Sequence, residues 1–285
     1  RSTLDNGLGI LTESIPYSQS VSILISVGAG SRYEPPELAG LSHFLEHLPF
    51  KGTERWPTAQ LVSETIEGVG GIMNASTDRE MTVFWCKVAK PHYKQALSVL
   101  LDMILHPTLD PREMEKEREV IQEELRMTYD YPSQMVDLLI DDLLWPNQSM
   151  GRDVGGTIES VNNISIDDVR EYMGQQYNPS NTVISVVGSI EHAEVTHLVN
   201  QEAHDWTPRP GLDWERVIPD YSGPTVKIDN RSTDQSHICL GMEGLSLFDP
   251  DRFALALLNC ALGDGMSSRL FLSLREDQGL AYDVS

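Results

Sequence analysis

Cysteine is scarce in this sequence: Cys86, Cys239 and Cys260 stand far apart in a chain of 285 residues. An odd, scattered set excludes a disulfide framework and a cysteine-based metal site, and it suits a reducing compartment such as the bacterial cytoplasm. Positive charge is also in deficit. Lys and Arg number 21 against 43 Asp and Glu, a net charge of −22. That balance argues against a nucleic-acid binder and against attachment to anionic membranes, while favouring encounter with basic peptides or serving solubility alone. Long apolar runs are missing. The stretch 21–27 is among the longest, far short of the ~18 residues that span a bilayer, so no membrane insertion is expected. A nucleotide site is excluded as well, because the chain carries no Gly-Lys-Ser/Thr phosphate loop and no GxGxxG after a strand.

What is present is ordinary globular material, 40% hydrophobic and 22% charged, in a length suited to one large domain or two. The chain opens on Arg1 rather than Met, which leaves room for an upstream segment. Its most informative stretch is Leu41-Ser42-His43-Phe44-Leu45-Glu46-His47. On a helix, residues four apart share a face, so His43 and His47 can present ring nitrogens to one ion. Glu46 follows three residues after His43, near the position left open for water without being a ligand itself. Two imidazoles, a carboxylate base and an open coordination position are the parts of a hydrolytic metal site. The competing reading, two histidines satisfied by neighbours on a half-buried helix, needs the pattern to be an accident. With 8 histidines in the whole chain such an accident is rare.

Residues 7–13 and 21–27 read as strands, and a helix carrying the motif is expected over about 37–50 after Pro35 and Pro36. Further helices are expected over 58–69, 91–105, 111–129, 133–145, 165–177 and 190–203. Residues 70–87 read as a hairpin and 181–188 as a buried strand. Strands and helices mix without regular βαβ alternation, which defines an α+β fold. A zinc-binding domain is expected over 1–205 and a proline-rich connector over 206–224, with Pro208, Pro210, Pro219 and Pro224. After it the pattern restarts. Residues 235–263 can be laid on 20–48 at one constant offset, which sets the strand-like 237–242 on 22–27 and places Leu258, Ala261 and Leu262 on His43, Glu46 and His47. The expected architecture is therefore two related units, each a mainly antiparallel sheet packed with helices. The second, 225–285, is incomplete and lacks metal ligands.

Two histidines hold zinc loosely, and a third protein ligand is needed. The acidic helix 111–129 offers Glu113, Glu115, Glu117, Glu119, Glu123 and Glu124. Spacing alone does not choose among them, although Glu117 and Glu124 share a face with Val120 and Ile121 that is expected to turn inward. At this point a resemblance becomes specific. The run Gly40-Leu-Ser-His-Phe-Leu-Glu-His-x-x-Phe-Lys-Gly-Thr53 resembles the active-site helix of the pitrilysin/insulinase family of inverted zincins, in its processing-protease branch, with Pro49 the odd residue. The resemblance implies Zn²⁺ held by His43, His47 and Glu124, with Glu117 orienting ligands from one heptad earlier. It also implies that Gly70-Gly-Ile-Met-Asn-Ala-Ser-Thr77 is an edge strand whose Asn74 and Ala75 hold an extended peptide by strand addition. Gly263 to Phe271 and Leu274 to Tyr282 are similar to the second domain's signature, which assigns Arg275 and Tyr282 to the substrate carbonyl and the developing oxyanion.

The expected function is zinc-dependent endopeptidase action on unfolded peptides or presequences, with one zinc per chain. Glu46 takes the proton of the attacking water and returns it to the leaving amine. Family members of this kind often work as a homodimer or as paired related subunits. Some are non-catalytic, but those usually lack the His-x-x-Glu-His ligands that this chain retains. Two histidines and one carboxylate also suit a non-haem iron site, which is usually built on strands rather than on one helix.

Overall fold

The computed structural model describes residues 1–218 and 223–284; Pro219, read above as part of the connector, lies outside them. The chain divides into two compact units, Arg1–Cys239 and Leu240–Ser285.

In the first unit, alternating apolar residues produce one sheet with a single buried face. Its strands are β1 (Ser2–Thr3), β2 (Gly9–Ser14), β3 (Ser20–Val27), β4 (Ile72–Thr77), β5 (Thr82–Ala89) and β6 (Thr182–Gly188), in the order β1-β2-β6-β3-β5-β4. The β2–β6 pair is parallel and the others are antiparallel, so the α+β class holds with a mainly antiparallel sheet. Side chains of a strand point alternately to its two faces. Accordingly Val21, Ile23, Ile25 and Val27 are fully buried, while Ser20, Ser22 and Ser26 stand on the other, partly open face. The register sets Ile23 between Cys86 and Val186, and Ile25 between Phe84 and Ile184. A slip of one residue would turn this apolar row outward, so burial itself pins the register.

The helices of this unit are α1 (Leu41–His47), α2 (Ala59–Glu67), α3 (Tyr93–Leu105), α4 (Pro111–Asp130), α5 (Pro132–Leu144), α6 (Ile158–Asn163), α7 (Ile166–Gln176) and α8 (His192–Ala203), and α1, α2, α3 and α8 pack against the sheet. Apolar α3 packs on β3 and β5 and brings Leu97, Leu100 and Ile104 into the core. α8 closes over β2 and α3, and α1 lies against β4 and α4. Caps explain where several helices begin: Asp110 accepts from the Arg112 amide ahead of Pro111, and Ser165 and Asp168 form a reciprocal capping box.

The helix expected over 37–50 is broken into three pieces: a 3₁₀ turn Pro36–Leu38, α1, and a second 3₁₀ turn Leu48–Lys51. Gly40 stops continuity on one side by adopting φ 95°. On the other, Pro49 has no N–H to carry the α-helical ladder, and the chain tightens. Helix α6 and the two-residue β1 had no clear signal in the sequence.

In the second unit the described elements are α9 (Arg252–Leu262) and a π-helical turn, Phe271–Asp277. Residues 237–242, expected as a strand, form none. A strand exists only through its ladder, and no strand among the described residues after β6 offers one. No helix among the described residues is long and apolar enough to cross a membrane.

Candidate metal centre

The site grows from the shortness of α1. Its seven residues place Leu41, Phe44 and Leu45 in the core, with Leu48 just beyond them, and leave His43, Glu46 and His47 on the half-buried side. One turn apart, the two imidazoles meet edge to face, with centroids 4.8 Å apart and Nε2 atoms 3.3 Å apart. Burial, with His47 beside it, holds the His43 pKa down at about 4. His43 is therefore neutral at pH 7, the form a metal ligand requires.

The third donor comes from α4. At about 100° per residue, Met114, Glu117, Ile121 and Leu125 form one stripe, and all four are buried. Glu124 falls at the edge of that stripe with its side chain 45% exposed. Val120 lies beyond the edge and is exposed, contrary to the inward face expected for it: it lies on the far side of Glu117 from the line through Ile121. Oε2 of Glu124 reaches 3.7 Å from Nε2 of both histidines. Of the other glutamates on α4, Glu113, Glu115 and Glu123 pair with Lys116, Arg118 and Arg126 on the helix surface.

The three donor atoms thus form a triangle of 3.3, 3.7 and 3.7 Å. A tetrahedral zinc with bonds of about 2.0–2.1 Å separates its ligand atoms by about 3.4 Å. Oε2 of Glu124 and Nδ1 of His43 are buried without a hydrogen-bond partner, and such orphaned polar atoms call for a partner. The donor set, its spacing and the orphaned carboxylate oxygen all fit a divalent ion of zinc's size.

Around this triangle stand residues that hold it. Nδ1 of His47 donates to Oε2 of Glu117 at 3.1 Å, and Lys51 donates to Oε1 at 2.6 Å. Burial pushes the Glu117 carboxyl up, but the bonds from His47 and Lys51 outweigh it, so the pKa lies below its ordinary value and the group stays ionised. Because a carboxylate only accepts, this bond places the His47 proton on Nδ1 and leaves the Nε2 lone pair facing His43. Glu46 is half-buried. Burial raises its pKa, and the charge of Glu124 adds to that, while hydrogen bonding from Thr77 and the electrostatic influence of the nearby His47 ring oppose it. Lys51 and Thr77 were not singled out from the sequence. Lys51 lies one turn beyond His47, a spacing that carried the signal. Thr77 arrives from β4 and carried none.

Asn74 and Ala75 sit on β4, which is the last strand of the sheet order. The Ala75 N–H is already taken by Oδ1 of Asn74 at 2.8 Å. Arg275 and Tyr282 belong to the second unit, where the Arg275 guanidinium stands 4.6 Å from the centroid of the exposed Tyr282 ring and 4.8 Å from that of Phe271.

The class that this fold and donor set define is that of the inverted zincins, whose motif reads His-x-x-Glu-His. The chain belongs to the insulinase family, peptidase family M16: the family described as Insulinase (Peptidase family M16) matches residues 9–158, and the Peptidase M16 inactive domain matches residues 163–285. It is 38% identical over 285 residues to the uncharacterised zinc protease YmxG of Bacillus subtilis, covering 100% of this chain and 68% of that one. It is 37% identical to an uncharacterised zinc protease of Streptomyces coelicolor, of which it spans 63% while matching over its own full length. Among solved structures, a protease from Helicobacter pylori shares the fold at TM-score 0.83 and 22% identity, over 99% of this chain and 69% of that one.

Proposed function

We propose that this chain carries the catalytic site of a zinc-dependent endopeptidase acting on unfolded peptides or presequences. The observation that carries the reading is the triangle of donor atoms from His43, His47 and Glu124, with Glu46 on the same helix as the two histidines. Zinc held there would supply Lewis acidity, lowering the pKa of a coordinated water toward neutrality and polarising the scissile carbonyl.

The chain's own residues account for the rest. Glu46, neighboured by Thr77, accepts a proton from the attacking water and returns it to the leaving amine. Glu117 keeps the His47 ring oriented and its proton on Nδ1. An extended peptide adds along β4, where Asn74 must release the Ala75 N–H for a backbone bond to form. Arg275 and Tyr282 serve the substrate carbonyl and the developing oxyanion, a role that rests on the family resemblance. The accompanying domain reading is a metal-bearing domain over 1–205, a connector over 206–224 and a ligand-free partial domain of the same fold over 225–285. The working assembly is a homodimer or a pair with a related subunit.

Elemental analysis of the purified chain beside Glu124→Gln tests this reading. About one zinc per wild-type chain and a marked loss in the variant are expected. Iron in place of zinc would replace the hydrolytic reading by a redox one. No metal after reconstitution would favour a non-catalytic partner subunit, a role suggested by the match of residues 163–285 to the family's inactive domain.

A further inference from the structure

Glu34 is a carboxylate for which the reaction has no use, yet it is only 4% exposed and is spent on the start of the metal-site helix. The first amides of any helix lack intrahelical acceptors, and an N-cap side chain usually supplies one. The N-cap of α1 is Gly40, which has no side chain. Glu34 does the work from six residues upstream: its Oε2 accepts from the Gly40 amide at 2.8 Å and its Oε1 from the Ser42 amide at 2.6 Å.

The cap comes from a distance because no capping residue fits at position 40. The backbone there has φ 95°, and a Cβ would stand 2.4 Å from the carbonyl oxygen of Gly155. On the facing loop a Cβ at Gly156 would stand 2.1 Å from the carbonyl oxygen of Ala39. Two backbones thus touch glycine to glycine where α1 begins. Glu34 is itself anchored, since Nη2 of Arg152 donates to its carbonyl at 2.8 Å and to that of Ser31 at 3.2 Å. The Ser42 hydroxyl lies 2.8 Å from that of Tyr172. His43 follows Ser42 directly, inside the first turn of a seven-residue helix, and a helix this short has little stability of its own to hold that turn.

We propose that Glu34 is a positioning residue of the metal centre: by holding the Gly40 and Ser42 amides it sets the start of α1, and with it the direction in which His43 presents Nε2 to His47 and Glu124. The inference rests on the zinc reading above.

The test uses the full chain as wild type, Glu34→Gln, Glu34→Asp and Val199→Ala, the last a buried residue of α8 that loosens the core elsewhere. Zinc affinity is measured by competition with a chromophoric chelator, cobalt(II) spectra report ligand geometry, and thermal midpoints of the metal-free chains report stability. Glu34→Gln puts an N–H₂ against a backbone N–H, and about a 10- to 100-fold loss of zinc affinity with an altered cobalt spectrum is expected. Glu34→Asp keeps the charge at shorter reach and is expected to fall between; it carries the test if Glu34→Gln does not fold. Val199→Ala is expected to lower the thermal midpoint and keep both affinity and spectrum. A loss below about threefold in the Glu34 variants, or an equal loss in Val199→Ala, overturns the proposal. If the wild type binds no metal, the zinc reading fails by itself. Amide exchange of the metal-free chains then decides: faster exchange confined to α1 in the Glu34 variants upholds the positioning role, and unchanged exchange overturns it.

Discussion

Glu117 accepts the Nδ1–H of His47 at 3.1 Å, on the ring edge opposite the Nε2 that faces His43 at 3.3 Å. One bond therefore settles the tautomer, the ring plane and the direction of the free lone pair. Glu117→Gln removes the charge that favours this arrangement, and zinc affinity should fall by about 10- to 100-fold. Lys51→Met removes the 2.6 Å partner of the same carboxylate and should cost less. Chelator competition at fixed pH ranks the two; an unchanged affinity in Glu117→Gln removes that residue from the site.

On the proposed reading, a substitution at Glu46 should separate binding from turnover. Glu46→Gln keeps the shape of α1 and all three donor atoms, so zinc content should match the wild type. Peptide hydrolysis should drop by about 100- to 10,000-fold, the range over which a positioned acid–base group acts. Hydrolysis of an unfolded peptide measured beside metal content checks it, and full activity in the variant would free Glu46 from its role.

Metal removal should destabilise without unfolding, because the core beneath the sheet is apolar and complete around Ile23, Ile25, Phe84 and Leu100. With free zinc at one hundred times its dissociation constant, the loaded chain gains about 2.7 kcal/mol. Calorimetry with and without a chelator should show that upward shift in the wild type and little of it in Glu124→Gln.

Gly40→Ala and Gly70→Ala differ in an informative way. Both positions have positive φ, but a Cβ at Gly70 meets nothing within 4 Å, while one at Gly40 meets a carbonyl oxygen at 2.4 Å. Gly70→Ala should cost only backbone strain, about 1 kcal/mol. Gly40→Ala should cost more than that and should also weaken metal binding. Urea denaturation gives the first comparison and chelator competition the second.

On α4, neighbouring apolar residues have opposite fates. Ile121→Ala opens a cavity at a fully buried position and should cost about 2–5 kcal/mol. Val120→Ala, on the exposed side, should stay within about 0.5 kcal/mol. Equal effects would contradict the placement of the stripe.

Much of this architecture was legible from local pattern. The alternation of Val21, Ile23, Ile25 and Val27 with serines specifies a strand buried on one face, and Pro111 and Ser165 mark helix starts. His43 and His47 share a helical face by spacing alone, because helix geometry is local and repeats every 3.6 residues or so. The family resemblance singled out Glu124 from a helix crowded with glutamates, where periodicity had also turned Val120 inward. The stripe that packs is centred between Glu117 and Leu125, and only the partner surface reveals its centre.

Sequence periodicity and motif spacing were enough for the strand faces, the order of most helices and the pair of imidazoles on one turn, since each depends on residues a few positions apart. Tertiary structure decided what depends on distant segments meeting. It brought Glu124 to 3.7 Å from both imidazoles, set Thr77 beside Glu46, and placed Glu34 under the amides of Gly40 and Ser42. It also left 237–242 without a strand, because a ladder needs a neighbour that no local pattern supplies. Spacing along the chain determines direction within one element; which side chains meet across elements follows from packing, and packing is a property of the whole core.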